Sequence, residues 1–415
     1  MYFNSFQFLL LFLPVTLLGF YLINRVEPCR WPIVWLVGAS LVFYGFCNLV
    51  LVGVLIGSVL TNYVLGRFFN DSQISKVNLK KILYFGIICN LGVLIYFKQF
   101  GFYGGSQPQE FSPAYPWGII IPVGLSFFTF QQIIYLVEVW RGRVEGNSFW
   151  NYFLYVVFFP QLLNGPIVRP NEFFPQLVDK KFFKFQADRI AAGLTIFSCG
   201  LFKKVVLADG IARYSDSAFD AVAQGAVLSM MEAWSGTLSF TLQVYFDFSG
   251  YSDMAVGLGC LLGIRLPINF ESPYKASSLI EFWHRWHMTL SRFVRDYIYI
   301  PLGGNRKGSL KRTGNIFIIM LIGGIWHGTG TTFIIWGSLH GIFLAINHFW
   351  RQLQNSLGYS FGRKNFIYEI SGCVITFITV AVLWILFRAE GLDVAVSIIQ
   401  SLFGFQTSPD ADFNN

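Results

Sequence analysis

The chain has 415 residues, of which 54% are hydrophobic and 13% charged, with 46 Phe and a net charge of +8. Soluble domains carry about 25% charge, so the composition excludes a soluble globular protein and predicts an all-α polytopic membrane protein whose surroundings are the lipid bilayer. The positive excess does not imply nucleic acid as a partner, because Lys and Arg of membrane proteins collect in cytoplasmic loops.

The N-terminal stretch MYFNSFQFLLLFLPVTLLGFYLI has no basic leader and no small-residue cleavage site, which predicts a retained first span. Apolar runs follow in order at about 5–24, 31–48, 49–69, 82–103 and 117–139, then about 190–211, 232–263, 313–326, 331–350 and 367–387. Between them lies a short run at about 149–163, ending in NGPIVRP. Its length and its Pro160 and Gly165-Pro166 breaks predict a segment that dips into the membrane and returns. Arg67, Lys76, Lys80 and Lys81 face only Asp71, which places that loop in the cytoplasm. The stretch from Phe102 to Pro116 has no Lys or Arg and faces out; Arg141 and Arg143 return the chain inside. These sides alternate if the N-terminus is outside. Six isolated Cys without a C-x-x-C read as small buried hydrophobes, not as a disulfide framework or a thiolate metal site.

Asp247 and Asp253 interrupt the apolar run VYFDFSGYSDMAVGLGCLLG. Acids at membrane depth are costly, so they line a cavity or pair with a cation; both readings stay open. From Arg265 to Arg312, nine basic residues face three acids, a local excess of +6 that assigns this stretch to the cytoplasmic side.

That stretch contains EFWHRWHMTLS, residues 281–291, with two of the five histidines. A continuous helix would place His284 and His287 on one face, with Trp283, Trp286, Leu290 and Phe293 as an apolar stripe. The plain reading is an interfacial amphipathic helix with its Trp at headgroup level. LIGGIWHGTG adds His327 near the end of an apolar run, between glycine pairs, and an intramembrane ionisable residue is a functional candidate. His284, His287 and His327 could supply three metal ligands, though no H-E-x-x-H occurs. His327 with Asp247 or Asp253 could serve proton-coupled transport, though no internal repeat is visible. General-base catalysis on a hydroxyl needs one neutral imidazole and a polar partner, which fits one His on each of two elements.

The run QVYFDFSGYSDMAVGLGCLLGIRLPINFESPYKASSLIEFWHRWHMTLSRFVRDYIYIPLGGNRKG, followed by GGIWHGTG and WGSLHGI, resembles the membrane-bound O-acyltransferase family. It is most similar to the branch serving bacterial exopolysaccharide O-acetylation, alginate being the type case. The strong match covers about 240–345, with weaker matches at SLVFYGFCN, PVGLSFFTFQ, FFPQLLNGPIVRP and WILFRA. The resemblance implies one integral membrane domain over 1–415, with about eleven transmembrane helices and re-entrant segments around a central reaction tunnel. It makes His327 the catalytic histidine and His287 the second polar residue. Many eukaryotic members carry Asn at the latter position, which suggests a hydrogen-bonding role. His284 is then a local variation and His340 structural, and His348 has no motif support.

The resemblance also implies an acetyl-CoA donor arriving from the cytoplasm, no resident cofactor or metal, and a bacterial cytoplasmic membrane location. A separate extracytoplasmic, esterase-like transferase would modify the polymer. PLGGNRKG could hold the donor's phosphates through the Gly303 and Gly304 amides with Arg306 and Lys307, or be an ordinary interfacial turn. Asp247, Asp253, Trp286 and Trp326 are further substrate-contact candidates. The branch continues with more helices after F-R-A, so the chain is either a short member or one whose C-terminal helices lie beyond residue 415. The alternatives are D-alanyl transfer to teichoic acid within the family, and a transporter without covalent chemistry.

Overall fold

The computed structural model describes residues 1–27, 30–46, 49–69, 73–102, 119–120, 124–144, 148–178, 184–306, 308–328, 330–357 and 366–405. The chain divides into two compact units. One joins Met1–Leu201 to Tyr251–Pro267, and the other joins Phe202–Gly250 to Ile268–Asn415.

The first unit opens with a helix whose first turns are wide, π-type over Phe8–Phe12 and α over Leu13–Val26 (together α1). It continues with α2 (Trp31–Gly45), α3 (Leu49–Phe68), α4 (Lys76–Phe100) and α5 (Leu125–Trp140). Gly101–Phe102 pairs in parallel with Ile119–Ile120. Phe3, Phe8, Phe12, Phe43 and Phe159 interlock ring against ring at the centre, with centroids 5.0 to 6.5 Å apart. Polar contacts fix which helices meet. Asn62 and Asn90 exchange side-chain hydrogen bonds of 2.7 and 3.2 Å between α3 and α4, and Gln132 of α5 donates to Ser58 Oγ at 2.9 Å.

The short run at 149–163 is a broken helix. Ser148 caps α6 (Phe149–Val157) by accepting from the Asn151 amide at 3.2 Å. The chain leaves helical geometry at Phe158, and Pro160 starts α7 (Phe159–Leu162). Tyr152 to Phe159 are buried in protein throughout, which is where a break at membrane depth is tolerated. Neighbours satisfy the freed backbone: Ser40 Oγ accepts from the Phe159 amide at 3.1 Å, Gln161 Nε2 donates to Tyr155 O at 2.6 Å, and Tyr155 OH donates to Val168 O at 2.9 Å. The unit closes with α8 (Pro170–Val178) and α9 (Ala187–Phe202).

A π-turn over Lys203–Ala208 leads into α10 (Asp209–Ala223) of the second unit. Then come α11 (Met230–Leu261), two seven-residue helices α12 (Leu279–Arg285) and α13 (Met288–Val294), α14 (Ser309–His327), α15 (Thr331–Ser356), α16 (Phe366–Arg388) and α17 (Leu392–Leu402). Trp286, Trp336 and Trp384 form the heart of this unit's core. Tyr274 OH ties it to α11 by donating to Thr241 O at 2.6 Å, while Trp384 Nε1 donates to Tyr274 OH at 3.2 Å. Arg388 holds α10 to the end of α16 through Asp216 at 3.1 Å and Asp220 at 3.6 Å.

Among the described residues, six helices are long and apolar enough to cross a bilayer: α1, α3, α4, α9 running on into α10, α15 and α16. Three shorter apolar helices, α2, α5 and α17, accompany them. The chain is an all-helical, multi-pass membrane protein, as its composition requires. The amphipathic α10 and the short α8 and α17 are the elements that hydropathy runs do not reveal.

Candidate active site

The site is built in the second unit from two arms. The first is residues 269–294. Ser278 caps α12 by accepting from the Glu281 amide at 3.3 Å. Glu281 reaches back to Ser277 N at 2.9 Å and Ser277 Oγ at 2.8 Å, and takes Arg285 Nη2 at 2.7 Å. Burial pushes the Glu281 carboxyl up, but Ser277 and Arg285 outweigh it and hold it below the usual carboxylate range.

The helix stops at Trp286, and His287 takes the left-handed conformation, φ 44° and ψ 53°. This corrects the expectation of one amphipathic helix over 281–291. The reversal of hand turns His287 inwards, 3% exposed, while His284 stays exposed. The two do not share a face, and Trp286 packs in the core instead of at a headgroup level. Around His287 lie Phe248, ring centroids 4.8 Å apart and edge-on, and Phe270 at 6.3 Å. Asn269 binds it from the backbone side: the His287 Nδ1 to Asn269 Oδ1 distance is 3.1 Å.

The second arm is the pair α14 and α15. Gly324 and Gly337 face each other where the two helices touch, their Cα and Cβ positions separated by only 3.2 Å if either carried a methyl group. Small residues at such a crossing let backbones meet. His327 is the last residue of α14, half-buried, and Gly328 leaves the helix in an extended conformation. The rings of Trp326 (4.5 Å), Phe387 (4.9 Å) and Trp336 (5.4 Å) surround it. Burial pushes the His287 imidazole down to about 3, and the electrostatic influence of His327 acts in the same direction. Forty residues apart in sequence, these two histidines interact electrostatically within one unit.

The family model for the membrane-bound O-acyltransferases matches residues 123–385. The chain belongs to the membrane-bound O-acyltransferase family. It is therefore an acyltransferase. The peptidoglycan O-acetyltransferase of Helicobacter pylori is 40% identical, covering 97% of this chain and 80% of that one. The "probable alginate O-acetylase AlgI" of Pseudomonas aeruginosa is 37% identical, covering all of this chain and 77% of that one. The teichoic acid D-alanyltransferase of Bacillus subtilis is 28% identical over 66% of this chain and 69% of its own length.

The other candidates of this acyltransferase separate in space. Asp247 is an ion-pair partner: Lys204, on the π-turn, lies 2.6 Å from it and 2.7 Å from Asp209. Asp253 is half-buried on the same helix, in the part that belongs to the first unit. Trp326 lies against His327 with its ring tilted by 58°. His340 is fully buried between Trp283 (5.2 Å) and Trp336 (4.7 Å).

The turn at 301–306 does not present an amide cradle. Gly303 N–H donates to Ile300 O and Gly304 N–H to Tyr299 O, each at 3.0 Å, so the turn consumes both donors. Arg306 is exposed beside it, and Lys307 lies outside the described residues. Sequence reasoning missed Asn269. The lone Asn in the apolar stretch LPINF was the available signal for it.

Proposed function

We propose that this protein is an O-acetyltransferase of a bacterial cytoplasmic membrane. It draws acetyl groups from acetyl-CoA on the cytoplasmic side and delivers them for O-acetylation of an extracytoplasmic glycan. The observation that carries the reading is a buried His287 and a half-buried His327 in one unit, each set against aromatic rings, with Asn269 at hydrogen-bond distance from His287. Similarity at 37–40% along nearly the whole chain to proteins named for alginate and peptidoglycan supports acetyl over D-alanyl transfer.

In this reading the neutral His327 imidazole takes the proton of the acceptor hydroxyl. The hydroxyl oxygen attacks the thioester carbonyl, the C–S bond breaks, and the coenzyme A thiolate leaves and receives the proton. His287 holds a reacting group by hydrogen bonding. Arg306 sits in the basic 265–312 stretch, which raises the local concentration of a phosphate-bearing donor. A separate extracytoplasmic transferase completes delivery to the polymer.

The test is acetyl-CoA consumption by the purified protein in liposomes. His327→Ala should lower turnover by about 10²–10⁴ at unchanged expression. Turnover within about tenfold of wild type would remove His327 from the chemistry. Failure of wild type to consume any thioester would favour a transporter, and stoichiometric zinc would replace the base mechanism with a metal one.

A further inference from the structure

Asn269 Oδ1 is the meeting point of three groups. The Thr289 amide reaches it at 3.2 Å, Thr289 Oγ1 at 2.8 Å and His287 Nδ1 at 3.1 Å. The same residue's carbonyl accepts from the Met288 amide at 2.8 Å. Asn269, His287 and Thr289 are all buried.

The side-chain amide could in principle be turned either way, but one neighbour decides. A backbone N–H can only donate, so the atom facing the Thr289 amide must be oxygen. That oxygen cannot donate to an imidazole, so His287 Nδ1 must carry a hydrogen. A neutral imidazole has a single N–H, which leaves the lone pair on Nε2. Asn269 also braces the backbone on the far side of His287, through Met288, where a non-glycine residue stands at positive φ.

We propose that Asn269 is the positioning residue of this site: it locks His287 in the Nδ1–H tautomer and makes Nε2 the acceptor that serves the reaction. The proposal rests on the acyl-transfer reading and adds a residue to it. Burial keeps His287 neutral, so a single tautomer is the form to be set. The titratable group acting on it is His327; the faces of Phe248 and Phe270 carry no charge.

Two variants and one spectrum test this. Asn269→Asp keeps an acceptor for all three donors and places a negative charge at Nδ1–H. It should raise the pH at which the nitrogen-15 shifts of His287 titrate by about one unit or more. Asn269→Ala should lose about tenfold or more in kcat, with the donor KM within about twofold. A folded Asn269→Asp in which the His287 titration is unmoved, or Asn269→Ala with wild-type kcat, overturns the proposal.

Nitrogen-15 NMR of histidine-labelled wild type, with His287 assigned by its loss in His287→Asn, reads the tautomer without any change at Asn269. A pyrrole-type Nδ1 and pyridine-type Nε2 are expected; the reverse overturns the proposal whatever the variants do. Loss of the acyl-transfer reading would be seen separately, as an active His327→Ala or a wild type that consumes no thioester.

Discussion

Gly324→Ala should disable the enzyme by moving His327. A Cβ built on Gly324 would lie 2.3 Å from Phe333 O and 3.2 Å from the Gly337 Cα. Ordinary contact begins near 3.4 Å, so α14 and α15 must part by about 1 Å. Both obstructing atoms are backbone, so no side chain can swing aside. Overpacking of this kind costs about 1–3 kcal/mol. His327 is three residues further along the same helix, and a displacement of about 1 Å at a reacting group can cost about 10² in rate. Gly323 is the internal control: a Cβ there meets nothing within 4 Å. Gly323→Ala should therefore keep its activity and its melting midpoint, or gain slightly from helix propensity. The assay is acetyl-CoA turnover in liposomes beside thermal unfolding in detergent. If Gly324→Ala and Gly323→Ala behave alike in both, close helix contact does not place His327.

Four further outcomes follow from particular contacts. His284→Ala should keep near wild-type turnover because His284 is exposed, whereas His287→Ala should lose it and His287→Asn should keep more; turnover of the three variants ranks them. Lys204→Met leaves Asp209 and Asp247 without their shared cation and should lower the melting midpoint, with Asp247→Asn restoring part of the loss; strictly additive effects would show that the three groups are uncoupled. The buried His287 has a pKa held below its ordinary value, so the unfolded chain binds a proton that the native state refuses; stability should fall as pH drops below about 6.5 towards 3, and His287→Asn should flatten part of that slope in pH-dependent melting. Arg306→Ala should raise the apparent KM for acetyl-CoA with little change in kcat, and added salt should mimic it by screening; an unchanged KM with a lower kcat would leave Arg306 as an interfacial anchor.

The membrane class and the order of the long helices were legible because hydropathy is a local sum. The runs predicted at 49–69, 331–350 and 367–387 correspond to α3, α15 and α16 with small shifts at their ends. The break in 149–163 was legible too, since Pro160 cannot continue a hydrogen-bonded turn. The amphipathic α10 was not, because its long apolar runs are missing and its buried face depends on Arg388 and α17.

His327 and His287 could be picked out of the sequence because an ionisable side chain in an oily segment is conspicuous by composition alone. Their roles could not be read from spacing. Helical periodicity pairs His284 with His287, yet one residue at φ 44° reverses the chain and buries only the second. Asp247 shows the same limit: an acid in an apolar run is visible, but its partner Lys204 is 43 residues away and meets it only when two helices pack. The motif PLGGNRKG leaves a phosphate cradle and an ordinary turn both open, and the turn's own hydrogen bonds, which consume the amides of Gly303 and Gly304, decide for the turn. Composition and local pattern thus determined that this chain lives in a membrane and which residues are chemically unusual. Tertiary structure decided which of those residues meet, because a backbone reversal, an ion pair between distant helices and a glycine crossing are contacts that no window of sequence contains.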